Sequence, residues 1–438
     1  MRTRAGTVDG VRLVLRGARW PADVAIEAGR VAEVGVVAAR DGDQVLDVSG
    51  DVVTAGLVNT HHHLYQWLTR GRAVGSDLFS WLVALYPIWG RIEAEDVRVA
   101  ARVGLAELAL SGCTTAFDHH YLVPRGDDTV FDVAVDAARE VGVRLHLSRG
   151  SMDLGESDGG LPPDDVVEDI DAVLTSTARV ADAYHDGDRV SVVVAPCSPF
   201  SVTVDLMRAS AEFARTRGLR LHTHLAETMD EVEHCQERFG GRPLEVMDAW
   251  GWLADDVWYA HAVHLDAREV GRLARAGAAV AHCPSSNARL AAGTCPVSDL
   301  VAAGATVGLG CDGPASNEVG ALFPEMRQAL YAARLRTGRA DALLPADALR
   351  LATEGGARCL GRDDVGRLEP GMRADLAVWP AEDLVDVADP LAGLVLGPDR
   401  RVRHLLVDGA PIVTDGQLTG LDLRGARADL ARRAARLH

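Results

Sequence analysis

His61, His62 and His63 close the apolar run VVTAGLVNTHHHLYQ. Successive side chains along a strand point to opposite faces, so His61 and His63 share one face and His62 turns away. The motif therefore reads as His-x-His, a pincer of two imidazoles suited to a catalytic metal ion. A tag remnant would sit at a terminus instead. Further candidates stand at the ends of other apolar runs: His222, His224 and Glu227 in HTHLAET, His261 and His264 in AHAVHL, His282 in AHCPSSN and Asp312 in GLGCDG. Two or three imidazoles plus a carboxylate suit one Zn²⁺ or Fe²⁺ with a position left for water. Such an ion lowers the pKa of its water towards ~7.

His222 and His224 share a face, so only one of them need be a ligand. Glu227 follows His224 by three residues, and the turn can fold its carboxylate back over the site as a general acid/base. His261 lies nearer the strand end than His264, which reads as structural. His282 reads as hydrogen-bonding support for the site.

The elements that carry these residues repeat one rhythm from residue 50 to about 315: a short apolar strand, polar residues at its end, then an amphipathic helix. Several of the helical patterns stop at a glycine, among them FDVAVDAAREVG and DAREVGRLARAG. Eight strand–helix units in a span near the usual ~250 residues predict a (β/α)₈ TIM barrel, whose catalytic residues lie at the C-terminal ends of its strands. An open doubly wound sheet is the runner-up, but it would not set histidines at the end of nearly every strand. The expected division is a barrel over 57–363, flanked by 1–56 and 364–438. The flanks read as short strands that pair into a small β-sandwich, with a terminal helix in ADLARRAARLH. Gly308, Gly310 and Gly313 spell G-x-G-x-x-G, but no clear helix follows, so these glycines read as coincidence.

The net charge of −18 disfavours nucleic acid or an anionic membrane as partner. No run is apolar and long enough to span a membrane, and MRTRAGTVDG lacks the apolar core of a signal peptide. Seven scattered cysteines without a C-x-x-C pair point to a reducing cytoplasm. The chain has no lysine. That excludes Schiff-base chemistry and a carbamylated-lysine bridge between two metals, so a single ion is expected. The expected partner is a small molecule, and the expected assembly a homo-oligomer.

The motifs GLVNTHHH, HTHLAET, AHAVHL, AHCPSSN and GLGCDG, in this order, resemble those of the amidohydrolase superfamily. Its mononuclear aminohydrolases, which deaminate purines, pterins and triazines, are the most similar branch. The resemblance implies that His61, His63, His224 and Asp312 bind the metal, Zn²⁺ before Fe²⁺. It implies that Glu227 shuttles protons and that His261 holds the attacking water or stabilises charge, with Asp312 also assisting catalysis. Within that branch, HHHLYQWLTR with LFSWLVALYPIW is similar to deaminases of 8-oxoguanine, and hydroxy-triazine aminohydrolases carry a related block. Gln66 matches a purine-contacting glutamine. Cys197, after Pro196, stands where guanine deaminases carry arginine, which leaves room for an 8-oxo group. The implied reaction is hydrolytic deamination of an aminated heterocycle, 8-oxoguanine to urate and ammonia. The alternatives are guanine, isoxanthopterin or a hydroxy-triazine, and, in a different class, an inactive scaffold. Trp67, Trp81, Tyr86 and Trp89 offer a lid or stacking wall, with Trp89 taken as a substrate contact. His119 and His120, ending the second strand, are read as contacts at the substrate rim.

Overall fold

Eight short parallel strands follow one another in sequence order around a single sheet. They are β1 (Leu57–Asn59), β2 (Cys113–Asp118), β3 (Arg144–Ser151), β4 (Val190–Pro196), β5 (Arg220–Leu225), β6 (Val257–His261), β7 (Ala279–His282) and β8 (Thr306–Leu309). This computed structural model describes residues 11–437, so the expectation drawn from MRTRAGTVDG lies outside the described residues, as does that part of the expected terminal helix which falls on His438. The sheet closes on itself where β1 meets β8: the Thr60 N–H donates to the Leu309 carbonyl (3.0 Å), and the Asp312 N–H donates to the His61 carbonyl (3.0 Å). Strands covered by helices outside and by side chains inside are apolar on both faces, as VWYAH and AVAH are.

The run leading to the histidine triplet is not one strand, as the sequence reading had it, but two. Val52–Ala55 belongs to a separate sheet, where it pairs antiparallel with Leu376–Trp379. β1 starts only at Leu57. The break falls at Gly56, where a Cβ would lie 2.3 Å from the Thr114 side chain. The G-x-G-x-x-G glycines have a packing reason. A Cβ on Gly310 would stand 2.6 Å from the His61 Cβ, and one on Gly313 would stand 2.0 Å from the Gln66 Oε1. These glycines let the β8 end press against the His61 segment, so they serve barrel closure rather than nucleotide binding.

Two small sheets flank the barrel. One holds Leu13–Arg16, Asp23–Glu27, Arg30–Gly35 and Gln44–Asp47; the other joins Val52–Ala55 to four strands from Leu376 onward. Leu15, Val24 and Ile26 of the first pack with Val53, Leu376 and Leu406 of the second in one apolar cluster. Arg144 of β3, fully buried, donates to Asp375 (2.9 and 3.2 Å) and ties the barrel to this sandwich. The terminal helix Leu423–Leu437 docks on Ala94–Leu110, where Arg433 and Arg436 both donate to the buried Asp96.

Candidate active site

At the C-terminal ends of the strands, hydrogen bonding fixes three imidazoles in one orientation. His222 Nδ1 donates to the Trp258 carbonyl (2.9 Å), which leaves its Nε2 lone pair to accept from His61 Nδ1 (2.9 Å). His63 Nδ1 donates to the His119 carbonyl (2.7 Å), and His224 Nδ1 donates to the Cys197 carbonyl (2.6 Å). Each of His61, His63 and His224 therefore turns an Nε2 lone pair inward, the arrangement that outer partners impose on metal-binding histidines. Nε2 of His63 and His224 face each other at 3.3 Å. Oδ1 of Asp312 lies 3.4 Å from His61 Nε2 and 3.2 Å from His63 Nε2. His61 Nε2 is buried without a hydrogen-bond partner among the described residues.

Lone pairs and a carboxylate that converge in this way repel one another unless a cation lies between them. Donor separations of 3.2–3.4 Å are also what several donors, each about 2 Å from a shared ion at roughly tetrahedral angles, require. The four side chains thus fit a single divalent metal. Burial pushes the His61 imidazole down to about 3 and His224 well below its ordinary value, which keeps both rings neutral.

His222 and His224, which strand periodicity alone leaves equivalent, take different places: His224 joins the centre, and His222 orients His61. His62 points away, donating through Nδ1 to the Asp312 carbonyl. His119 lies among the imidazoles instead of at a rim. Its Nε2 donates to the Ala195 carbonyl (3.0 Å), and its ring stacks on His224 and His63. His264 donates to the Ala292 carbonyl (2.8 Å), a structural bond.

Glu227 and His261 adjoin the cluster. Glu227 Oε2 lies 3.5 Å from His261 Nε2, which is 3.9 Å from Asp312 Oδ2. His261 Nδ1 donates to Asn287 Oδ1 (2.9 Å), the last residue of AHCPSSN, to which the sequence reading gave no role. Burial, reinforced by the charge of Asp312, pushes the Glu227 carboxyl up to about 8. His282 is buried without a hydrogen-bond partner among the described residues. The bonding role read for it is therefore not seen.

A narrow cavity opens beside this cluster, lined by His63, His224, Glu227, His261 and Asp312 on one side. Gln66, Tyr121, Cys197, Ser198 and Ser316 line it as polar groups, and Leu78, Trp81, Leu82 and Tyr86 as an apolar wall. Gln66 Oε1 is buried and unpartnered among the described residues. Burial pushes the Cys197 thiol up to about 12, so it remains a protonated donor. Tyr121, Ser198 and Ser316 carry no spacing signal in the sequence, although Ser198 and Ser316 closely follow residues that do.

Two expected substrate contacts lie elsewhere. Trp89 sits behind the apolar wall, donating to Thr69 Oγ1 (3.1 Å) and packed edge-on against Tyr65, Trp81 and Tyr86. His120 donates to the Leu122 carbonyl (2.8 Å) between Tyr65 and Phe131. Both are packing residues, and neither lines the cavity. Trp67 is likewise packed away from it, against Gly104 and Gly320.

Known proteins match most of this chain. The profile of the amidohydrolase family matches residues 52–412. The chain is 50% identical to an 8-oxoguanine deaminase of Pseudomonas aeruginosa over 91% of each chain. It is 36% identical to an isoxanthopterin deaminase of a prokaryote, over 94% of this chain and 91% of that one. An atrazine chlorohydrolase of Arthrobacter aurescens, solved with zinc, superposes with a TM-score of 0.90 at 31% identity, covering 97% of this chain and 100% of that one. With this profile match, these relatives and a single closed barrel, the chain belongs to the amidohydrolase family.

Proposed function

We propose that the protein is a metal-dependent hydrolytic deaminase that converts 8-oxoguanine to urate and ammonia. The observation that carries this reading is the junction of two groups on one cavity: the inward Nε2 lone pairs of His63 and His224 with Asp312, and Glu227, Gln66 and Cys197 in the same lining. The 50% identity to an 8-oxoguanine deaminase supports the choice of ring. His61, His63, His224 and Asp312 would hold one Zn²⁺, which when bound supplies Lewis acidity and makes water a nucleophile at neutral pH.

The chain's own groups do the rest. Glu227, neutral near pH 7, gives its proton to the ring nitrogen beside the amine-bearing carbon as water adds to that carbon. Asp312, held ionised, accepts the proton that the water loses, and His261 steadies the oxygen. A proton then passes to the exocyclic nitrogen, the C–N bond breaks, and the carbon becomes a carbonyl. The balance is ring–NH₂ plus H₂O giving ring=O plus NH₃. Gln66 and the Cys197 thiol would hold the ring's polar edge, while Trp81 and Tyr86 cover its face. All seven cysteines are free and buried, which suits the cytoplasm. No helix among the described residues is long and apolar enough to cross a membrane.

The test is ammonia release by zinc-loaded protein from 8-oxoguanine, guanine, isoxanthopterin and hydroxy-triazines. The highest kcat/KM is expected on 8-oxoguanine. Strong turnover of another ring with none on 8-oxoguanine would overturn the substrate and leave the chemistry standing.

A further inference from the structure

The loop that carries Glu227 is held from behind by a second carboxylate. Glu231, fully buried in the first turn of the helix Met229–Phe239, accepts the Ala226 N–H at Oε1 (2.7 Å) and the Glu227 N–H at Oε2 (3.0 Å). Two successive peptide donors closing on the two oxygens of one carboxyl form a nest that orders the backbone. Ala226 is held at φ +50°, a left-handed conformation that costs an L-residue about 1–2 kcal/mol and persists only where its surroundings impose it.

The opposite side of the same segment is occupied as well. The Leu225 carbonyl accepts from Ala262 N–H (3.0 Å), and the Ala226 carbonyl accepts from Val263 and His264 N–H (3.0 and 2.9 Å). Those donors follow directly on His261, itself at φ +70°. The turn after β5 and the turn after β6 are therefore one stitched unit, with Glu231 taking its donors and the β6 turn filling its acceptors. Glu227 and His261, whose side chains meet at 3.5 Å, project from the two halves.

We propose that Glu231 is a positioning residue for the proton shuttle: its carboxylate holds the left-handed turn at Ala226 and thereby aims Glu227 and His261 at the reacting carbon. This rests on the assignment of Glu227 as shuttle in the proposed deaminase. Glutamine at 231 keeps the shape but sets an NH₂ group against one of the two N–H donors. The strained turn then loses half its clamp, while the metal ligands, which stand on other bonds, are untouched.

The experiment uses full-length, zinc-loaded protein and follows ammonia release. Glu231→Gln is expected to lower kcat about 10- to 100-fold, since displacement of a reacting group by about 1 Å costs that much. KM for the best ring should change less than about threefold, with metal content still one per chain. A purely structural role would instead appear as lost folded protein or lost metal. Glu231→Asp, a shortened carboxylate, reports separately if the glutamine variant folds poorly, and is expected to retain more kcat than Glu231→Gln. In the Glu227→Gln background the 231 substitution should add less than about twofold, because coupled groups are not additive. Wild-type kcat in folded Glu231→Gln, alongside an inactive Glu227→Gln, would overturn the positioning role alone. An active Glu227→Gln would overturn the shuttle reading on which it rests.

Discussion

The Ser286 hydroxyl donates to Oδ2 of Asp312 at 2.6 Å, and that bond divides the carboxylate's work between its two oxygens. Oδ1, steadied by the Gly313 N–H at 2.7 Å, faces His61 and His63; Oδ2 faces Ser286 and His261. Asp312 itself sits at φ +58°, a left-handed conformation, so the side-chain bonds help fix an otherwise disfavoured pose. Ser286→Ala is expected to lower kcat about tenfold, the effect of one lost bond to a buried charged group. Zinc should remain bound; stoichiometric metal analysis beside steady-state kinetics checks both.

Glu227→Gln removes the proton and keeps the shape. Turnover should fall about 10²- to 10⁴-fold, the usual contribution of a general acid/base. Metal content should stay at the wild-type level. Near-normal activity in this variant would remove Glu227 from the chemistry.

Chelation acts on the convergence of lone pairs. Stripping the metal should abolish ammonia release and lower the melting temperature, because an ion that binds only the folded state stabilises it by mass action. Zn²⁺ should restore both. Calorimetry before and after dialysis against a chelator reads the shift; an unchanged melting temperature with full activity would mean that no ion resides there.

Cys197 bears on substrate choice. If the protonated thiol donates to the ring's 8-oxo oxygen, Cys197→Ala should lower kcat/KM for 8-oxoguanine about fivefold, one modest hydrogen bond, and leave guanine nearly unchanged. Equal losses on both rings would place the thiol elsewhere.

His146 offers a pH test away from the centre. Burial first, and then nearby Arg362 and Arg220, push its imidazole down to about 3. A group with a depressed folded pKa contributes stability above its unfolded value, near 6.5, and loses it as pH falls towards the folded value. Acidification from pH 6.5 to 4 should therefore cost up to ~1.4 kcal/mol per pH unit from this one ring. His146→Gln should flatten that slope in urea titrations run across the range.

Side-chain alternation, a strict period of two, separated His62 from its neighbours, and the polar ends of the apolar runs marked His222, His224, Glu227, His261 and Asp312 as candidates. The same period could not separate His222 from His224, since both face inward; the bonds from His61 and from the Cys197 carbonyl decide that. Trp89 was misread because an aromatic on a helix looks the same whether it lines a cavity or packs behind one. Glu231, Asn287 and Ser286 act through polar bonds across loops, and such bonds leave no periodicity in a sequence.

The division at Gly56 has a consequence for modularity. The sandwich strand Val52–Ala55 and the barrel strand that carries the histidines are consecutive, and the first pairs along its length with Leu376–Trp379. A chain cut at residue 363 would leave Val52–Ala55 without its Leu376–Trp379 partner a few residues before His61. The terminal domain is therefore no detachable appendage, and grafting this centre onto another scaffold requires both ends of the chain.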